Sequence, residues 1–197
     1  NLTNLLEQTP GVVVSYTDSE RVQYYSRGFA IDAIQYDGAT VVQSSGGGSF
    51  IQTDSAFIDR AEVLRGATGM LRGAGNPSGT VNLVRKRPTH DFQATGSVTL
   101  GSWNAQRYVA DISGPLTETG NVRGRVIAVH DDRDLFQDSR MERKEAFGGS
   151  LAFDLDDSTT LTTGVEWTKL DATGAWGNLP ADASGAPLPF GLSLIHI

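Results

Sequence analysis

The chain contains no cysteine, which excludes both a disulfide framework and a thiolate metal site. It has only three histidines, His90, His130 and His196, scattered without ligand spacing, and they read as ordinary surface or lumen residues. No apolar run reaches the roughly 18 residues that a membrane-spanning helix needs, so that element is excluded too. Positive charge is in deficit: 16 Lys and Arg against 23 Asp and Glu leave a net charge of −7, the wrong balance for a nucleic-acid partner. Catalytic groupings are missing as well. The sequence offers no Ser/His/Asp order with local support, no paired carboxylates in a cleft-like context and no zinc signature, so an enzyme is not the expected reading. A membrane β-barrel survives all of these exclusions, because its strands carry a much weaker signal than a membrane helix.

What is present is an ordinary globular composition, 39% hydrophobic and 20% charged, in 197 residues that suit one domain or parts of two. The first residues, LTNLLEQTPGV, enter directly on a helical pattern closed by Pro10 and Gly11, with no signal peptide before it. That entry suggests a fragment. The terminal GLSLIHI follows a Pro/Gly/Ala/Ser-rich stretch and reads as a truncation or assembly artefact.

The pattern changes near residue 90. Before it, short segments alternate in type: strands at 12–15, 24–29 and 33–36, the last ending in the Asp37–Gly38 turn signal, then a glycine-rich loop at 43–49. A helical turn near 54–59 leads to a strand at 61–65, and 80–85 reads as one more. This is a small α+β domain. After residue 90 the spacing becomes period two. Phe147, Gly149, Leu151, Phe153 and Leu155 alternate with small or polar residues, as do Tyr108, Ala110 and Ile112, Val98 and Leu100, and Leu161, Val165 and Trp167. A soluble sandwich would turn the apolar face inward, whereas a membrane barrel would turn it to lipid, and alternation alone does not choose between them. Connection lengths favour the barrel: short turns at 115–121 and 156–158, a longer charged loop at 131–144 and a long stretch from 171 onward. Strands of about 9–11 residues are also long enough to cross a bilayer when tilted.

The stretch 62–88, EVLRGATGMLRGAGNPSGTVNLVRKRP, concentrates Gly66, Gly69, Gly73, Gly75 and Gly79 before three consecutive cations and a proline. Glycine permits φ > 0 and close approach of backbones, so this segment folds tightly against something. A phosphate cradle is the rival reading, but neither GxxxxGK[ST] nor GxGxxG spacing is present.

Four segments together, YYSRGFAIDAIQYDG, DRAEVLRGATGMLRGAGNPSGTVNLVRKRPT, GSWNAQRYVADISGPLTETGNVRGR and TTLTTGVEWTKLDATGAWGNLP, resemble the TonB-dependent ferric-siderophore receptors of the outer membrane, nearest to those for coprogen-type hydroxamates and pyoverdines. The resemblance implies a plug domain over residues 1–90 and, over 91–197, the first five or so strands of an antiparallel transmembrane β-barrel that closes with about 22 strands in the family. A signal peptide, a TonB box, the first part of the plug and the remaining strands would lie outside this segment. On this reading the glycines are packing devices in a lumen of fixed size. Arg65 would face the barrel wall, and Arg85 and Arg87 would make plug–barrel contacts near the periplasmic exit, the alternative for the cationic run being a solvated strand end.

The resemblance also implies where the ligand is held. Iron arrives already coordinated by the siderophore, so no protein-bound cofactor or metal ligand is expected; aromatic faces, donors and an arginine suffice. Arg27, with Tyr24 and Tyr25 just before it, is expected at that surface, with a plug-internal arginine and core tyrosines as the alternative. Gln43 and Ser44 in the glycine-rich loop would form a second apex, and Trp176 would reach the ligand from an extracellular loop. Trp167 falls on the lipid-facing register. The partners implied are the ferric siderophore, outer-membrane lipid, and TonB with the ExbB/ExbD inner-membrane complex. Two other functions stay open: the same architecture carrying cobalamin, haem or a sugar, and a soluble β-rich binding module.

Overall fold

The computed structural model describes residues 2–16, 22–31, 33–42, 53–66, 77–135 and 140–173. Gln43, Ser44, Trp176, the glycines at 69, 73 and 75 and the apolar C-terminal residues lie outside the described residues.

The chain opens on a helical turn, α1 (Leu2–Glu7), whose Leu6 is completely buried. Two small sheets follow. In the first, β1 (Val13–Tyr16), β2 (Val22–Ser26) and β3 (Phe29–Ala30) run antiparallel in sequence order. The second has the order β5-β4-β7-β6, built from β4 (Ala33–Tyr36), β5 (Ala39–Val42), β6 (Ile58–Arg65) and β7 (Gly79–Arg85), with β4 and β7 parallel. A single core joins both sheets: Leu6, Val12, Val22, Tyr24, Ile31, Ile34, Ile58, Val81 and Leu83. The strand β5 was not expected. ATVV is too short to show an alternation, and the Asp37–Gly38 dipeptide, with φ of 51° and 85°, supplies the left-handed two-residue turn that closes its hairpin with β4.

The remainder is one antiparallel meander of β8 (Gln93–Leu100), β9 (Gln106–Pro115), β10 (Val122–Asp134), β11 (Met141–Asp156) and β12 (Thr159–Thr173). Register fixes its two faces. Ile112 pairs with Val126, Val126 with Gly149 and Gly149 with Val165; one step along, Ala110, Ala128, Phe147 and Trp167 form the next row. Because direct cross-strand partners share a face, Tyr108, Ile112, Leu151, Phe153, Val165 and Trp167 lie together, as the alternation requires. This face is apolar and uncovered, Val165 being 69% and Leu161 54% exposed.

Two expectations change. The segment 131–144 is mostly strand, and only 135–140 lies between β10 and β11. Cross-strand ion pairs carry the ladder past the apolar band: Arg143 to Asp132 at 2.6 Å and Arg133 to Glu142 at 2.5 Å. These strands are therefore 13, 16 and 15 residues long, longer than a bilayer alone demands. Nor does connection length separate the two rims. The β8–β9 connection, 101–105, is short although it lies on the same rim as 135–140. It is pinned there, since Asp134 N donates to Trp103 O at 2.9 Å and Asn104 Nδ2 donates to Asp134 Oδ2 at 2.7 Å.

If the uncovered face meets lipid, a charge in its middle is costly. Phe147→Arg in the complete protein is expected to lower unfolding stability in lipid vesicles by about 2–4 kcal/mol, against less than ~0.5 kcal/mol for a face that meets water. Denaturant titration of the inserted protein distinguishes the two.

Candidate functional site

The other face of the meander is small, polar and charged, and among the described residues the α+β domain docks on it through two segments. The first is a 3-10 turn, Ser55–Phe57, capped by Asp54, whose Oδ1 accepts from Ala56 N at 2.9 Å. The cap serves a second purpose. Asp54 is only 1% exposed, and Arg107 of β9 grips it in bidentate fashion: Nη2 donates to Oδ1 at 2.5 Å and Nη1 to Oδ2 at 3.0 Å. Lys144 of β11 adds Nζ to Oδ2 at 2.5 Å, and Arg107 Nη1 also donates to Asp131 of β10 at 2.9 Å. Two carboxylates and two cations thus balance in one buried cluster that ties the turn to three strands. Burial by itself would raise the Asp54 carboxyl, but the hydrogen bonds from Arg107 and the charge of Lys144 outweigh it and hold the group well below the usual carboxylate range.

Next to this cluster Phe57 inserts among Ile127, Val129 and Ala146. It lies against Gly148, where an added Cβ would stand 2.5 Å from Phe57 Cε1. Only glycine leaves room for that ring.

The second docking segment is 86–90. Lys86 N donates to Phe57 O at 2.9 Å, joining the two segments. Lys86 Nζ donates to Asp111 Oδ2 at 3.0 Å, and Arg125 grips the same carboxylate from Nε and Nη2 at 2.8 and 2.6 Å. Arg125 Nη1 further donates to Arg87 O at 2.9 Å. Thr89 N donates to Ser113 Oγ at 2.8 Å. Last, buried Arg123 bridges the His90 ring and Asp154, with Nη2 to Asp154 Oδ1 at 2.6 Å. A cavity of about 60 Å³, lined by Phe57, Ile127, Arg85, Lys86, Arg125 and Glu166 among others, lies in this seam.

The expected site residues fall in different places. Arg85 makes its ion pair within its own domain, with Nε 3.2 Å from Asp37 Oδ2 and its guanidinium 5.5 Å from the centre of the Tyr36 ring, and it also lines the seam cavity beside Glu166 of β12. The wall contact next to it belongs to Lys86. Arg87 takes part through its carbonyl. Arg65 closes β6 opposite Gly79 by its backbone, and its side chain lies outside the described residues. Tyr24 is 3% exposed, a core residue whose hydroxyl meets Thr3 Oγ1 at 3.4 Å, so its ring is not part of an accessible surface. Tyr25 is half-buried and its hydroxyl donates to Gln23 Oε1 at 2.5 Å.

Arg27 is exposed at the tip of the β2–β3 hairpin, where it and Gly28 adopt φ of 55° and 81°. Its guanidinium lies along Gly66, whose own φ is 106°; a Cβ there would stand 3.4 Å from Arg27 Nη1. The RGF and RGATG segments, distant in sequence, meet at this point. Sequence reasoning missed Asp54, Phe57, Arg107, Lys144 and Gly148; Lys86 was read only as one of three cations near the exit. The available signal was the charge on the non-apolar face of the strands: Arg107, Asp111, Arg123, Arg125, Asp131 and Lys144 all take that parity, and charges on a face covered by another domain must find partners there.

Comparison with known proteins gives concordant findings. The family model for the TonB-dependent receptor plug domain matches residues 1–80. The chain is 44% identical over 184 residues to the ferripyoverdine receptor of Pseudomonas aeruginosa, covering 91% of this chain and 23% of that protein. It is 26% identical over 185 residues to the ferrioxamine receptor of Yersinia enterocolitica, covering 91% and 26%. Among solved structures it matches the pyoverdine outer-membrane receptor of Pseudomonas aeruginosa bound to pyoverdine, with a TM-score of 0.86 at 41% identity, over 96% of this chain and 28% of that one. The alcaligin outer-membrane receptor of Bordetella pertussis matches with a TM-score of 0.74 at 41% identity, over 84% and 28%. The chain spans about a quarter of the length of the curated relatives it matches.

Two outcomes are expected from this geometry. Gly148→Val should displace Phe57 and destabilise docking of the plug by about 1–3 kcal/mol, with Phe57→Ala in the same chain relieving part of the loss; thermal unfolding of the complete protein measures both. Asp54 titrates lower in the folded state than its unfolded value of about 3.9, so its stabilisation is complete above that pH and is lost as pH falls through the folded value. Asp54→Asn should therefore lower the melting temperature at pH ~7, and the gap from wild type should shrink as pH falls below ~4, where the unfolded carboxyl takes up a proton that the folded one still resists.

Proposed function

The chain belongs to the TonB-dependent receptors, and from that membership we propose that it forms most of the plug and the first strands of an outer-membrane receptor for active uptake of a ferric siderophore of the pyoverdine class. The single observation that supports this most is the run of similarity to a ferripyoverdine receptor, 44% identical over 91% of this chain, through the plug and the wall alike. On this reading residues 1–90 are plug and 91–173 are wall. The iron is cargo, held by the siderophore, and the protein contributes shape, donors and a route.

Within the described residues, Arg27 is the donor we assign to the ligand. Its planar fork suits carbonyl and hydroxamate oxygens, its tip position leaves it accessible, and its contact with Gly66 fixes its direction. Tyr25 flanks it on β2, and Tyr24 supports the hairpin from the core. Trp176, Gln43 and Ser44 stay in the proposal as ligand contacts from the loops. The seam then acts as a seal that is strong yet separable. Its charged pairs fix where the plug sits more than they add net stability, and water can replace them as the plug moves. The work of moving it is assigned to TonB, drawing on the proton gradient through its inner-membrane partners.

The test is uptake of ⁵⁵Fe-pyoverdines by a Gram-negative host that lacks its own siderophore receptors and carries the complete receptor. Uptake should require both the receptor and TonB. Arg27→Ala should weaken ferric-siderophore binding by about 1.5–3 kcal/mol in a direct titration, without lowering the yield of folded receptor. Transport of cobalamin, haem or a sugar in place of any siderophore would overturn the assignment of cargo, and recovery of the complete protein in the soluble fraction would overturn the architecture.

A further inference from the structure

Strand β2 of the plug has one committed face and one open one. Val22, Tyr24 and Ser26 are buried, and the alternating residues Gln23 and Tyr25 are half-buried on the face turned away from the core. Their cross-strand neighbours are short: Val13 and Ala30 flank Tyr25, and Ser15 stands opposite Gln23. Val13 is 63% exposed, so this row is a floor above which the two longer side chains stand. The Tyr25 hydroxyl donates to Gln23 Oε1 at 2.5 Å, and that bond holds the amide in one orientation. With Oε1 occupied, Gln23 Nε2 has no partner among the described residues. The amide nitrogen carries two donors, and a donor from which a ligand excludes water is costly to leave unmet. Gln23 and Tyr25 stand about 7 Å apart along the strand, and the tip that exposes Arg27 follows two residues after Tyr25.

We propose that Gln23 is a specificity-determining residue for the ferric siderophore, with Nε2 donating to a carbonyl or hydroxamate oxygen of the ligand, and that Tyr25 is the positioning residue that aims it. The proposal deepens the siderophore reading above and rests on it. Arg27 answers the overall negative charge of a ligand at range, whereas Gln23 tests one atom of it at contact. A ligand oxygen above Nε2 is satisfied. An ammonium or N–H group in the same place meets only donors and loses its water without replacement, so the site discriminates by what it repels as well as by what it binds. Tyr25 matters because a free glutamine amide presents its oxygen as easily as its nitrogen. Held through Oε1, the amide keeps its donors outward and loses less rotamer freedom when the ligand arrives.

The test titrates the complete receptor, in detergent, with the ferric pyoverdine that it takes up most strongly in the uptake assay, and reads affinity beside melting temperature. Gln23→Glu is the deciding variant. It keeps an oxygen to accept from Tyr25 and exchanges the outward donors for a carboxylate oxygen, so a purely structural pair would tolerate it. Affinity should fall roughly tenfold or more, with the melting temperature unchanged. Gln23→Leu, which removes the donors without adding charge, should weaken binding by roughly threefold to tenfold. Tyr25→Phe keeps the ring and releases the amide; it should weaken binding in the wild-type background and have no further effect on affinity in Gln23→Leu, because a positioning residue acts only through the group it positions. Wild-type affinity in Gln23→Glu overturns the proposal, and losses from Tyr25→Phe and Gln23→Leu that simply add overturn the positioning role. Arg27→Ala separates the two readings. If it weakens binding while Gln23→Glu does not, the specificity proposal alone fails; if neither weakens binding, the placement of the ligand at this hairpin fails and the proposal with it.

Discussion

A carboxylate buried between two cations holds this molecule together as a two-part device. Asp54 caps a single turn in one domain and is gripped by Arg107 and Lys144 from the other, and the arrangement forces everything near it. A charge taken out of water must be fully paired, so the turn can dock in only one place. With the turn fixed, Phe57 three residues on falls over Gly148, and Lys86, bonded to the backbone of Phe57, falls beside Asp111. Among the described residues the plug is seated mainly by charge, with apolar packing centred on the Phe57 ring and its socket.

The sheet that receives it obeys two solvents at once. Its outer rows carry Ile112, Phe147, Val165 and Trp167 toward lipid, and its inner rows carry arginines, aspartates and small residues toward the plug. A shift of one residue in the register of any strand would put arginine into hydrocarbon and valine into the seam, so both faces enforce the same pairing. At the rim beyond the apolar band, ion pairs such as Arg143 with Asp132 take over the cross-strand role and let the strands continue into water.

The plug keeps its core apart from an exposed hairpin tip. Its core draws Tyr24 inward with Val81 and Leu83, whereas the adjacent hairpin tip exposes Arg27 on a left-handed turn. Gly66, itself at positive φ, leaves the space along which the guanidinium lies and so positions the arginine.

Much of this was legible in the sequence because it is local or periodic. Alternation after residue 90 determined the five strands, their faces and the outward positions of Trp167 and Val165; the Asp37–Gly38 dipeptide determined a turn; the absence of cysteine and of clustered basic charge removed whole classes of function. The resemblance of long ordered segments determined the family. The seam was not legible. Asp54 finds Arg107 at 53 residues' separation, and nothing in TDSAF distinguishes a cap that also anchors a domain from one that only caps. Gly148 looks like any small residue on an inward face until Phe57 is placed over it. Arg85 and Lys86 are adjacent and alike in charge, yet β7 pairing directs one to Asp37 on the plug and the chain beyond it directs the other to the wall. Periodicity states which face a side chain takes; which partner waits on that face depends on the docking of two separately folded surfaces, and only the tertiary structure decides it.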